Sequence, residues 1–185
     1  MDKSGFELTK KLALYLEQMP LLDEIGTELE LEREIRKKVQ EFIKQNLKLE
    51  GNLLDKIIYS HGDTPFDKTL WTSSKILQNV VVYGCSNTSD IFITHPTIGS
   101  IYIELKLSKA KSRNSNSLPG DLQRSIGQSI IASLRHPHVI CMVVCKGNRT
   151  NKSNDMGNKL KMMLLEKHGI FLIVRSILLS KHNPQ

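Results

Sequence analysis

The sequence has no uninterrupted apolar run approaching the length of about 20 residues that a helix needs to cross a bilayer. Near the N-terminus, Lys10 and Lys11 break up the stretch that a cleavable leader would require. These absences predict a protein that is neither secreted nor membrane-spanning. Cysteine is scarce: Cys85, Cys141 and Cys145 make an odd count of three, and two of them sit in the apolar run from Val139 to Cys145, where they serve as small hydrophobes. A reducing, cytoplasmic location is the expectation. No Gly-x-Ser-x-Gly elbow and no Gly-x-x-x-x-Gly-Lys-[Ser/Thr] loop occurs, so neither a serine nucleophile nor a bound nucleotide cofactor is expected. His136, His138, Cys141 and Cys145 superficially suggest zinc. On a strand, however, the two cysteines would stand about 13 Å apart, too far to share one ion. No internal repeat is present.

What is present is an ordinary globular composition, 39% hydrophobic and 24% charged, with a strongly basic balance. A formal net charge of +7 attracts polyanions by counterion release and steering, which makes nucleic acid the leading partner. At 185 residues the chain is long enough to bury one core without staples, so a single domain over 1–185 is expected. Within it, 1–26 reads as a helical extension, 27–175 as the core and 176–185 as a tail.

The hydrophobic period is helical at first. Leu8, Leu12, Tyr15 and Leu16 form a stripe closed by Pro20, and Leu31, Ile35, Val39 and Phe42 form a second, with glutamates crowding its first turns and Gly51 marking its end. Residues 52–77, which include the single Trp71, read as connecting structure with some helix. Extended runs follow at Val80–Tyr83, Ile91–Thr94, Ile101–Glu104 and Val139–Cys145. A helix over Asp121–Leu134, with Asp121 as N-cap, and another over Lys159–His168, ended by Gly169 before the strand Ile170–Arg175, complete a strand-helix-strand-helix-strand order. That order predicts an α/β fold with a central mixed sheet flanked by helices. The polar stretches Ser108–Ser117 and Lys146–Asn158 read as loops.

The segment from Ser89 to Lys106 carries the chemistry. A hairpin centred near Thr97 sets Asp90 opposite Glu104 on one face, and Lys106, two residues on, projects to the same side. Like charges opposite each other destabilise a sheet, whereas a divalent cation turns that repulsion into coordination. The Leu105 carbonyl lies close enough to add a ligand. Magnesium, with manganese as a substitute, is the hard, oxygen-loving ion suited to such a group, and an ammonium beside it suits phosphodiester hydrolysis.

Ser89-Asp90 with Glu104-Leu105-Lys106 resembles the signature of the PD-(D/E)xK, or restriction-endonuclease-like, nuclease superfamily, with Ser89 in place of the first-position proline. Leu31-Glu-Arg-Glu-Ile35 is similar to the glutamate-bearing first helix of archaeal Holliday-junction resolvases, and Asp121 to Gln128 to their glutamine-bearing helix. The resemblance spans about Glu28 to Arg175 and implies a restriction-endonuclease-like fold and magnesium-dependent deoxyribonuclease activity. Asp90 and Glu104 are then metal ligands and Lys106 the catalytic lysine. Glu32 is the matching helix glutamate, although helical geometry puts Glu28 nearer the middle of the apolar stripe. On the later helix Gln123 falls on the arc of Ile126, Gly127 and Ile130 and is expected to face the sheet as an orienting amide, with Gly127 letting the helix approach closely and Gln128 pointing away. Lys109, Lys111, Arg113 and Arg124 are candidate phosphate contacts. A homodimer acting on DNA is implied by resemblance, on branched or duplex substrates or in restriction, defence or mobile-element processing. A non-catalytic nucleic-acid-binding or assembly subunit and an RNA-cleaving enzyme stay open beside it.

Overall fold

The β-branched runs of the second half assemble into one sheet, and the two N-terminal amphipathic stretches cover one of its faces. The computed structural model describes residues 3–21, 24–48, 57–60, 80–83, 85–87, 89–96, 98–108, 117–146 and 155–177. Along the chain come α1 (Lys3–Gln18), α2 (Glu28–Leu47), β1 (Ile58–Ser60), β2 (Val80–Val82), β3 (Cys85–Asn87), β4 (Ile91–His95), β5 (Gly99–Ser108), α3 (Ser117–Ser133), β6 (His138–Lys146), α4 (Asp155–His168) and β7 (Ile170–Ile177). The five-stranded sheet has the order β1-β4-β5-β6-β7, and β2 and β3 form a separate antiparallel pair. The β1–β4 and β4–β5 pairs are antiparallel, while β5, β6 and β7 run parallel, joined through α3 and α4. The expected α/β fold with a mixed sheet flanked by helices is what the chain adopts.

Strand alternation sorts the core into two layers. Ile101, Ile103, Leu105, Leu107, Ile140, Met142 and Val144 pack with α1 and α2, whereas Tyr102, Val139, Cys141, Val143 and Cys145 pack with α3 and α4. With both faces covered, β6 is buried along eight of its nine residues, which is why it reads as one continuous apolar run. α1 is not an appended extension. Leu8, Leu12 and Leu16 are buried in the same cluster as the strands, and the Leu16 carbonyl accepts from Arg175 of β7 at 2.8 Å.

Local chemistry explains most boundaries. Thr27 caps α2: its hydroxyl accepts from the Glu30 N–H and the Glu30 carboxylate accepts from the Thr27 N–H, a reciprocal capping box. The helix ends at Leu47, with Lys48 left-handed at φ 51°, earlier than Gly51 suggests. α3 begins at Ser117, so Pro119 lies in its first turn, where a missing N–H costs nothing, and Asp121 is an internal residue and not the cap. α4 likewise starts at Asp155, taking residues read as loop into the helix. Ile58–Ser60 and Cys85–Asn87 are short strands that the sequence period did not mark. Trp71, Thr97, Lys109, Lys111 and Arg113 lie outside the described residues.

α1 sits so close to the sheet end that Gly5 leaves no room for a side chain. A Cβ there would stand 2.5 Å from the Ile98 carbonyl oxygen and 2.6 Å from His138 Nε2. Gly5→Ala is therefore expected to lower the unfolding free energy by about 1–3 kcal/mol in urea titrations, despite the better helix propensity of alanine. A variant as stable as the parent would contradict this seating.

Candidate active site

The site is built where β5 runs on past its antiparallel neighbour. The β4–β5 ladder pairs His95 with Gly99, Thr94 with Ser100 and Ile91 with Ile103, a register whose next step sets Asp90 against Glu104. The turn that fixes this register is closed by the Ile98 N–H donating to the His95 carbonyl at 3.3 Å. Gly99, left-handed at φ 71°, then takes up the reversal. Because β4 begins at Ile91, residues 104–108 of β5 pair, among the described residues, with β6 alone and leave one edge open.

At that edge the Leu105 N–H has no strand partner, and the Asp90 carboxylate replaces one: Oδ2 accepts from Leu105 at 2.6 Å. The Asp90 N–H in turn donates to the Ile103 carbonyl at 3.1 Å. Asp90 is thus locked beside the strand that carries Glu104, as the hairpin spacing predicts. Ser89, before it, is buried with its hydroxyl unpartnered among the described residues.

Glu104 is 5% exposed and follows Tyr102 on the face that packs under α3. Burial pushes its carboxyl up to about 8, the negative charge of Asp90 adds to the rise, and Glu28 contributes a little; the Tyr102 hydroxyl and the Lys106 ammonium pull the other way. Tyr102 donates to Glu104 Oε2 at 3.3 Å. On the other side of Glu104, Lys106 pairs with Glu28, the first residue of α2, whose half-exposed side chain meets it at the end of β5 that β4 leaves uncovered.

Both first-helix glutamates lie on the α2 face toward the sheet or its edge, whereas Gln123 and Gln128 exchange their expected places. Glu28 is the helix glutamate that pairs with Lys106, while Glu32 is buried one turn along the same stripe between Leu31 and Ile35. Gln123 does not face the sheet but is exposed, and Gln128 is the half-buried amide. The reason is the seam of α3, which runs through the buried small residues Ser125, Ser129 and Ala132. Gln123 lies two residues, or about 200°, before Ser125 and so points outward. Gly127 is not at the close approach either, since a Cβ there would meet nothing within 4 Å. Arg124 is exposed beside Gln123. Tyr102, whose hydroxyl meets Glu104, carries no motif signal, because in the strand period it looks like an ordinary core aromatic.

The residues of the zinc reading, His136, His138, Cys141 and Cys145, are all buried. The Cys141 thiol is pushed up to about 12 by burial and is inert as a nucleophile. The His136 ring packs at 5.4 Å from those of Phe92 and Tyr102, as an aromatic core residue. Among the described residues no group of three or more His, Cys, Asp or Glu side chains is gathered to hold a metal ion by itself. A cation at the Asp90–Glu104 pair would therefore draw on two carboxylates and complete its shell with water, which is how magnesium is commonly held. The donors suit it: both are hard oxygens, and the raised Glu104 marks an acidic pair that Tyr102 and Lys106 compensate only in part. The Leu105 carbonyl, on the edge toward which its N–H points, is a third oxygen within the same segment.

Protein-family models, curated proteins and solved structures all yield no match to this chain. Helices long and apolar enough to cross a membrane are absent among the described residues.

The raised carboxyl sets a pH dependence of known sign. Folded Glu104 keeps its proton up to about pH 8, while the unfolded chain loses it above about 4.5. Between those values the folded state binds more protons, so this residue makes metal-free stability fall as pH rises. Denaturant titrations in chelator should show a loss approaching about 1 kcal/mol per pH unit across that window, flattened in Glu104→Gln. Equal slopes in the two proteins would contradict the burial and pairing of Glu104.

Proposed function

We propose that the chain is a magnesium-dependent nuclease of the restriction-endonuclease-like kind that hydrolyses phosphodiester bonds in DNA. The observation that carries this reading is the convergence of Asp90, Glu104 and Lys106 at the open edge of β5, with Asp90 fixed by the Leu105 N–H. Asp90 and Glu104 would hold magnesium, helped by the Leu105 carbonyl. The ion, when bound, supplies a Lewis acid for the phosphate and an acidified water. Lys106 brings a positive charge to the phosphoryl oxygens, and Glu28 restrains its long side chain at that edge. The net charge of +7 favours a polyanionic substrate. The structure-selective, restriction, defence and mobile-element settings and the homodimer rest on the resemblance.

A rival reading, a nucleic-acid-binding or assembly subunit that has kept the fold without activity, draws on the same Lys106–Glu28 pair, since a lysine held by a carboxylate need not meet a phosphate. RNA is the alternative substrate. Labelled four-way junction, linear duplex, single-stranded DNA and RNA, incubated with and without magnesium or manganese, separate these readings. The expected result is metal-dependent cleavage of a DNA substrate. Glu104→Ala and Lys106→Ala should each lower it by at least about 100-fold, near 2.7 kcal/mol of transition-state stabilisation, with binding retained. Binding without cleavage on every substrate supports the rival, and cleavage undiminished in both variants overturns the assignment.

A further inference from the structure

Along the face of β5 that lies under α3, Ser100, Tyr102, Glu104 and Lys106 follow one another at every second residue. Tyr102 is 1% exposed, and its ring is clamped. It stacks on the His136 ring with centroids 5.4 Å apart and planes 29° from parallel. His136 is itself held by the edge of Phe92 at 5.4 Å and by the Ser100 hydroxyl, 3.3 Å from Nδ1. A phenol fixed in this way has little freedom to redirect its hydroxyl, and that hydroxyl is on Glu104 Oε2 at 3.3 Å. Tyrosine is a costly choice at a fully buried strand position whose neighbours on this face are Val139, Cys141 and Val143, because its hydroxyl must find a partner.

We infer that Tyr102 is a positioning residue that holds one oxygen of Glu104, so that Glu104 presents a single oxygen to a divalent cation. This deepens the proposed nuclease reading and rests on it. A carboxylate tied through one oxygen serves a small ion that takes one oxygen from each ligand, such as magnesium or manganese. It serves calcium less well, since that larger ion readily takes both oxygens of a carboxylate. Tyr102 therefore contributes to the choice of ion as well as to the strength of its binding. Partners of metal ligands commonly change affinity by about 10–100-fold when removed, and a single neutral donor belongs at the low end of that range.

The test is calorimetric titration of the whole chain with manganese and with calcium, in the parent, Tyr102→Phe and Glu104→Gln. Tyr102→Phe keeps the ring and its stack on His136 and removes only the hydroxyl. The expected result is a roughly 10-fold weaker manganese affinity with calcium affinity not reduced, so that the ratio between the two ions falls about 10-fold. An unchanged ratio, whether both affinities hold or both fall together, overturns the inference and leaves the metal site standing. Absence of manganese binding by the parent, or full binding by Glu104→Gln, overturns the site and this inference with it. Should Tyr102→Phe fail to fold, 3-fluorotyrosine incorporated at Tyr102 serves instead. Its fluorine resonance should shift on addition of magnesium and stay still in Glu104→Gln, and a resonance indifferent to magnesium in the parent background overturns the inference.

Discussion

A strand that outruns its neighbour leaves backbone groups with nothing to pair with, and the far end of β5 is such a place. Beyond Ile103 the antiparallel partner stops, and the Leu105 N–H finds the Asp90 carboxylate instead. An amide left alone there would cost on the order of 1–3 kcal/mol, so the contact is a condition of the fold as well as a feature of the site. Its consequence is chemical. By standing in for a strand, Asp90 is brought within electrostatic reach of Glu104, at the end of β5 where Glu28 meets Lys106. The parallel strands β5 and β6 end on that side, the end at which open α/β sheets commonly accept ligands.

The same arrangement is a poor bargain for stability alone. Glu104 is buried, its carboxyl is disfavoured as an anion by that burial and by Asp90, and Tyr102 and Lys106 offset only part of the cost. An apolar residue at 104 would pack the face with less conflict. Such conflicts concentrate where a protein handles charge, and a buried acid beside a second acid and an ammonium is a grouping with chemical use.

Much of the fold was legible because its signals are local and periodic. The continuous run of β6, the Gly169 stop before β7 and the pairing of Asp90 with Glu104 through the His95–Gly99 turn all follow from spacing within a few residues. The misread features depend on tertiary packing. The face of α3 is set by where Ser125, Ser129 and Ala132 nestle against the sheet, and an apolar-stripe argument that weights Ile126 and Gly127 turns the helix the wrong way, putting Gln123 inside. The role of α1 was hidden for a similar reason: nothing local distinguishes an appended amphipathic helix from one that covers β5, β6 and β7. Tyr102 reads as a core aromatic until its hydroxyl is seen on Glu104.

Everything turns on whether Asp90 and Glu104 form one buried acidic pair that a cation relieves. The most direct measurement is the carboxyl carbon resonance of Glu104 followed through a pH titration, in chelator and in excess magnesium. A buried acidic pair gives a midpoint near 8 without metal and a large downward displacement when magnesium is present. A midpoint near the ordinary value of 4.5 under both conditions would contradict it.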